Sequence, residues 1–393
     1  MKILVINSGS SSLKYKLFEQ INKAGHDSPP LLCLSEGLID RIGLIFSKAK
    51  NHEEALNIAF KNLLKEKAIK DLTEIGCVGH RVVHGGEKYI RPTKIDRKVI
   101  KEIEKFSSLA PLHNPANLKG IKACSKLLKK IPQIAIFDTA FHGTMPEKAF
   151  LYSIPRRFYE KNKVRRYGFH GTSHKYVAHK AMELCKKLKS PAQKIITCHL
   201  GNGSSITAIK NGKTIDTSMG FTPLEGIPMG TRSGTIDPGI IFHLIKNGKF
   251  TPQKLEKLLQ EESGLKALSG ISSDMRKIYA AAKKNSKKAL FTIEKLSYEI
   301  AKKIGGYTAA LSGLDALIFT GGLGEKAFYV RKSVCEYLQF LNLKLDDKKN
   351  FSASNEKNPT LISSTKSKIK VFVIPTDEEL QIAQESMAFI LRL

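Results

Sequence analysis

Tryptophan is absent from this 393-residue chain, and acidic residues are scarce, with 36 Asp and Glu against 65 Lys and Arg. No apolar run approaches the roughly 18 residues that a membrane helix requires. The apolar stretch after Met1-Lys2 stops at Asn7, too short for a secretory h-region. A soluble, cytoplasmic protein is expected. Cysteines are few, six in all at 33, 77, 124, 185, 198 and 335, with no CxxC spacing and a single CxxH, Cys77–His80, inside an apolar run. That usage speaks against a disulfide framework and a zinc site and predicts reduced thiols. Pro/Ser-rich linkers and low-complexity tracts are also missing, so a domain boundary has to be read from the order of elements.

The shortage of acid leaves a net charge of +29. Nucleic acid, an anionic surface or an anionic substrate would each suit it. The lysines fall at helical spacing in segments such as "KKLK" (186–189) and "KKNSKKALFTIEKL" (283–296), as on solvated helix faces. With no zinc-finger spacing and no aromatic RNA-binding motif, nucleic acid is not expected as a partner.

Short apolar runs do recur: "KILVI" (2–6), "CVGHRVV" (77–83), "QIAIFD" (133–138), "KIITCHL" (194–200), "ALIFTGG" (316–322) and "KVFVIP" (370–375). Amphipathic stretches separate them at 53–69, 96–106, 115–130, 174–188, 252–260 and 287–312. Such alternation predicts an α/β protein with mixed or parallel central sheets. The length predicts two domains. The turn-rich "FHGTMPEKAFLYSIP" (141–155) sets the break near residue 144.

A weak internal repeat sharpens the picture. "INSGSSSLKYKLFE" (6–19) and "LGNGSSITAIKNGK" (200–213) each place Gly-Ser-Ser after an apolar strand and before a second strand. This is a hairpin that occurs twice, once per expected domain. Glycine turns present backbone N–H groups to anions, serines add donors, and Lys14 adds a point charge. Neither loop fits GxxxxGK[ST] or GxGxxG, which excludes a P-loop NTPase and a Rossmann dehydrogenase. A third glycine segment, "FTGGLGEK" (319–326), is expected to open a helix whose N-terminus favours anions.

Arginines and histidines gather in loops and at strand ends. "GHRVVHGG" holds His80, Arg81 and His84; "RRYGFHGTSH" holds Arg165, Arg166, His170 and His174; "MGTRSGTIDPG" adds Arg232 and Asp237. Arginine among glycine, threonine and serine points to two-point recognition of carboxylate or phosphate. Asp138 and Glu378, at strand ends beside such loops, are of the type that holds Mg²⁺ alongside a nucleotide, although a cap or salt bridge would explain either alone.

Together these segments resemble the acetate kinase family, within the ribonuclease-H-like superfamily that includes sugar kinases, actin and chaperone ATPases. The match runs in order through "NSGSSSLKY", "GHRVVHGG", "FDTAFH", "YGFHGTSH", "HLGNGSS", "TPLEGIPMGTRSG", "SSDMR", "GGLGE" and "PTDEEL". The resemblance implies two ribonuclease-H-like domains with central mixed sheets and an ATP cleft between them. Residues 1–144 would form the first, completed by 379–393, and 145–378 the second, nucleotide-binding one. It further implies that Asn7 and Glu378 hold Mg²⁺, or Mn²⁺ in its place, and that Lys14 contacts the ATP phosphates. His199, Leu200, Gly201, Asn202 and Gly203 would cradle those phosphates. Asp274, Met275, Arg276, Gly322, Leu323, Gly324 and Glu325 would bind the adenosine end. Arg81 would take the acetate carboxylate, with Val83, Leu112, Phe169 and Pro223 around its methyl group. His170 and Arg232 would stabilise the transferring phosphoryl group, and Asp138 would complete the active site by orienting a partner.

The expected activity is reversible transfer of phosphate from ATP to acetate, giving ADP and acetyl phosphate, in a homodimer formed through the second domain. A propionate or short-chain acyl kinase and a non-catalytic actin-like nucleotide-binding protein are the alternatives. Lys326 departs from the family's usual Asn and adds a cation near the nucleotide.

Overall fold

The computed structural model describes residues 1–21, 30–111, 113–248 and 250–392. They form two units, Met1–Gly143 with Asp377–Leu393, and Thr144–Thr376. The division near 144 lies where the turn-rich segment begins. The second crossing falls after Thr376, so Glu378 belongs to the first unit and not to the second as the sequence reading had it.

In the first unit the strands are β1 (Lys2–Ser8), β2 (Leu13–Gln20), β3 (Leu31–Ile39), β4 (Ile75–Val82), β5 (Thr93–Lys94) and β6 (Gln133–Phe137). They form one sheet in the order β3-β2-β1-β4-β6-β5. The pairs β1–β4 and β4–β6 are parallel; β1–β2, β2–β3 and β5–β6 are antiparallel. Strand β1 reads as a continuous apolar run because both its faces are covered. Ile3 and Val5 lie in one cluster with Ile382, Ala383 and Met387 of the helix Glu378–Ile390. Leu4 and Ile6, pointing the other way, share a cluster with Cys124 of the helix Asn114–Leu127 and Leu56 of the helix His52–Lys65.

The second unit repeats the plan. Strands β7 (Lys194–Leu200), β8 (Ser204–Lys210), β9 (Lys213–Thr217), β10 (Ala316–Thr320), β11 (Thr360–Leu361) and β12 (Lys370–Val373) run in the order β9-β8-β7-β10-β12-β11. Again the first three are antiparallel neighbours, β7–β10 and β10–β12 are parallel, and the last edge is antiparallel. The core is one large apolar cluster in which Leu296, Ile300 and Ile304 of the long helix Lys287–Leu311 join Ile196, Leu317 and Phe319.

The two Gly/Ser hairpins found in the sequence are β1–β2 and β7–β8, at equivalent places in the two sheets. Chemistry-bearing residues follow the C-terminal ends of the parallel strands β1, β4 and β6 in the first sheet, and of β7, β10 and β12 in the second. These are the positions at which open α/β sheets bind ligands.

Candidate active site

In the first unit Asn7 pairs in register with Lys14 across the β1–β2 hairpin, and Ile6 pairs with His80 of β4, so Arg81 lies beside Asn7. Asp138 follows β6 directly, and its amide donates to the Val82 carbonyl at 2.9 Å. The Asp138 carboxylate, 1% exposed, grips Arg81 from two directions. Nη2 donates to Oδ2 at 2.6 Å, and Nε lies 3.1 Å from both oxygens. Arg81 Nη1 reaches the Asn7 amide oxygen at 3.5 Å, and Nε is 3.6 Å from Glu378.

Glu378 is the first residue of a helix capped by Asp377, whose side chain accepts from the Leu380 amide. A carboxylate is favoured there by the helix dipole. Burial, with Asp138 close by and Arg81 opposing, pushes the Glu378 carboxyl up to about 7. Burial alone would lower the Arg81 pKa, but Asp138 and Glu378 outweigh it and raise it, so Arg81 is a permanent cation. Lys14 is bound at 2.9 Å to Glu379, whose side chain is nearly buried. Any phosphate that takes Lys14 therefore competes with this carboxylate. Val83 is buried, its amide donating to Asn117 Oδ1 at 3.1 Å. Leu112 lies outside the described residues.

His80 and His84, from the same motif as Arg81, are buried, and burial pulls both down to about 4. His80 Nε2 meets Gln133 Oε1 at 2.8 Å, a structural role.

In the second unit His170 precedes the helix Gly171–Lys187 in the left-handed conformation, at φ 56°. Its ring stacks on His199 with centroids 4.3 Å apart. A Cβ on Gly203 would lie 3.3 Å from His170 Cε1 and 3.4 Å from Arg232 Nη1, so glycine is what lets these two side chains approach the loop together. Arg232 Nη1 donates to the Pro223 carbonyl at 3.3 Å. No carboxylate pairs with Arg232 among the described residues, and burial pulls its pKa below the ordinary arginine value. A half-buried guanidinium without a counterion is suited to an anionic ligand. Buried Arg331 is a contrast, since its donors are consumed by the carbonyls of Gly324, Glu325 and Asn350 and by the side chains of Asn350 and Ser354. Phe169 is buried, while Pro223 contributes its carbonyl to Arg232.

A cavity of about 670 Å³ joins three of the predicted runs: Gly201 and Asn202, then Asp274, Met275 and Arg276, then Gly322, Leu323 and Lys326. Its size suits a nucleoside. Asp274 caps the helix Met275–Ala282 and binds Arg276 at 2.7 Å, and that hydrogen-bonded pairing holds its carboxyl down to about 2. Gly324 and Glu325 of the expected adenosine end lie apart from the lining, as do His199, Leu200 and Gly203 of the expected phosphate loop. The Gly324 carbonyl is occupied by Arg331, and Glu325 accepts from the Gly321 and Thr376 amides, bracing the loop. Leu200 is buried in the core, and His199 binds Ser173 at 2.8 Å. Lys326 donates to the Ser354 carbonyl at 2.9 Å.

The sequence reading missed Tyr279 and Tyr329, which also line this cavity, their rings stacked at 3.6 Å and 4°. The "AFY" run after "GGLGEK" was the available signal, but its partner lies fifty residues earlier. A larger cavity, about 760 Å³, is lined by Asp216, Lys295, Glu299, Lys303 and Tyr307 among others, and holds none of the expected residues.

The acetokinase family model matches residues 2–384. The chain belongs to the acetokinase family. It is 50% identical to the acetate kinase of Thermotoga maritima, with 98% of each chain covered. Among solved structures, the acetate kinase of Porphyromonas gingivalis is 41% identical with a TM-score of 0.90, covering 99% of both chains. A propionate kinase from Francisella tularensis is 38% identical with a TM-score of 0.84, covering 98% of both. The family is one of kinases that phosphorylate a carboxylate, and the two mixed six-stranded sheets accord with its fold. Among the described residues no helix is long and apolar enough to cross a membrane.

Proposed function

We propose that this chain is an acetate kinase, transferring the γ-phosphoryl group of ATP in line to acetate and releasing acetyl phosphate and ADP, reversibly. The observation that carries the reading is Arg81, held at 2.6 Å by buried Asp138 beside Asn7 and Glu378. A guanidinium braced in this way offers a fixed receptor for a small carboxylate.

Acetate is already an anion at neutral pH, so the reaction needs no general base. The obstacle is bringing that anion up to a polyanionic phosphate, and catalysis is mainly positioning and charge neutralisation. Arg81 binds and orients the carboxylate. Arg232 and His170 donate to the transferring phosphoryl group, and the Gly201–Gly203 loop supplies backbone N–H groups to the phosphate chain. Asp138 orients Arg81 rather than moving a proton. The Asp274–Arg276 and Gly322–Lys326 runs receive the nucleoside.

Asn7 and Glu378 fit a divalent cation such as Mg²⁺. Both offer hard oxygen donors within reach of the same guanidinium, at 3.5 and 3.6 Å. Two protein ligands are usual where water and phosphate oxygens complete the shell. When bound, such an ion supplies charge neutralisation on the phosphates.

A homodimer is proposed from the helix Pro238–Lys246. None of its nine residues is buried, and Ile240, Phe242 and Ile245 face outward. An apolar helix face of that kind is normally covered. A cytoplasmic location agrees with six free thiols, five of them buried.

Propionate is the second reading, favoured by the likeness to the Francisella tularensis propionate kinase. One methylene in an apolar pocket is worth only about 1–3 kcal/mol.

The test is ADP release from Mg-ATP with acetate, propionate, butyrate or no acid, trapping acyl phosphate as the hydroxamate. Acetate-dependent turnover that disappears in Arg81→Ala and Arg232→Ala is expected. ATP hydrolysis indifferent to the acid would overturn the proposal.

A further inference from the structure

Behind His170 runs a chain of buried hydrogen bonds for which nothing in the proposed reaction accounts. His170 Nδ1 meets Ser205 Oγ at 2.9 Å. The same oxygen meets His174 Nε2 at 2.7 Å, and His174 Nδ1 meets Thr197 Oγ1 at 2.7 Å. Thr197, Ser205 and His174 are each 0% exposed. The geometry follows from the fold: His170 is the left-handed residue that caps the helix Gly171–Lys187, its carbonyl accepting from the His174 amide at 2.9 Å, and β7 and β8 contribute Thr197 and Ser205.

Counting donors and acceptors gives this chain a direction. Among the described residues the Thr197 hydroxyl has no hydrogen-bond partner other than His174 Nδ1. Its hydrogen therefore points to that nitrogen, since the reverse arrangement strands a buried O–H. His174 must then carry its proton on Nε2 and donate to Ser205 Oγ. The Ser205 hydrogen is left for His170 Nδ1. His170 consequently holds its proton on Nε2, the nitrogen that comes within 3.4 Å of a Cβ built on Gly203. The His199 ring, stacked 4.3 Å away, disfavours charging both imidazoles at once.

We propose that Thr197, His174 and Ser205 are positioning residues that lock His170 in the Nε2–H tautomer, making it a fixed hydrogen-bond donor to the transferring phosphoryl group and not a base. The donor role rests on the kinase reading above; the tautomer does not.

The test uses full-length protein labelled with ¹⁵N-histidine. Long-range ¹H–¹⁵N correlation spectra, with His170 assigned through His170→Gln, read the tautomer directly. In the wild type the proton is expected on Nε2, with Nδ1 a hydrogen-bond acceptor. Ser205→Ala and Thr197→Val should mix the His170 tautomers and lower kcat roughly three- to tenfold. The KM values for ATP and acetate should stay within about twofold, and Thr197→Ser should restore both signals. A wild-type proton on Nδ1, or a tautomer that Ser205→Ala does not disturb, would overturn the proposal without reference to activity. The expected spectrum in a protein lacking acetate-dependent transfer would support the wiring and remove the kinase reading instead.

Discussion

Asp138 holds Arg81 by a 2.6 Å bond to Nη2 and two 3.1 Å contacts at Nε, so the direction in which this guanidinium faces is decided by a carboxylate that is itself out of water. Asp138→Asn keeps the shape but loses one acceptor and the charge. Turnover should fall on the order of 10²-fold, with a larger rise in the KM for acetate than for ATP. Steady-state kinetics in both substrates checks this; equal changes in the two KM values would remove the orienting role.

Gly203 is the position where one methyl group would reach both His170 and Arg232, at 3.3 and 3.4 Å. Gly203→Ala should leave nucleotide binding nearly unchanged and reduce kcat by roughly tenfold or more, because both side chains must retreat by a few tenths of an ångström. Single-turnover kinetics with saturating ATP separates the two effects. A variant of wild-type speed would show that the loop tolerates the methyl group.

The stacked pair Tyr279 and Tyr329 lines the 670 Å³ cavity and offers an aromatic face to a purine. Base–aromatic stacking is worth about 1–3 kcal/mol. Tyr329→Ala should therefore raise the KM for ATP between about fivefold and a hundredfold while Tyr329→Phe stays near wild type. Calorimetric titration with ADP gives the same comparison without turnover.

Burial of His80 and His84 should cost the first unit stability in mild acid, offset in part by Glu378, whose raised carboxyl acts in the opposite sense over the same range. His80 and His84 are held near 4 by burial, whereas in the unfolded chain they protonate near the ordinary 6.5. From about 6.5 down to 4 the unfolded state binds more protons than the folded one, so stability falls as pH falls and levels off below that window. The loss is on the order of 3 kcal/mol per histidine. Urea melts from pH 7.5 to 4.5 measure the slope, which His80→Gln should flatten; an unaltered slope would contradict it.

The exposed face of Pro238–Lys246 gives the last prediction. Phe242→Glu places a charge in the middle of the apolar surface and should convert a dimer to monomers at micromolar concentration. Light scattering after gel filtration reads the mass; a wild-type monomer would dismiss the proposed interface.

Local chemistry was enough to read much of this molecule. Apolar runs such as "KILVI" and "KIITCHL" became central strands, because a strand covered on both faces has to be apolar along its whole length. The duplicated Gly-Ser-Ser hairpin became two equivalent hairpins, because a tight turn between strands is a property of a dozen consecutive residues. Other features were beyond such reading. Whether Lys14 meets Glu379, whether Tyr279 stacks on Tyr329, and which nitrogen of His170 carries its proton all depend on residues far apart in the chain. The second domain crossing came two residues before the position read from sequence, since the cap that starts the final helix, Asp377, is bonded to Lys16 of the first sheet. Sequence periodicity determined the elements and the order of the motifs, because backbone geometry and burial act over a few residues. Only the tertiary structure decided which carboxylate braces Arg81 and, among the described residues, left Arg232 without one, because ion pairing depends on distance through space.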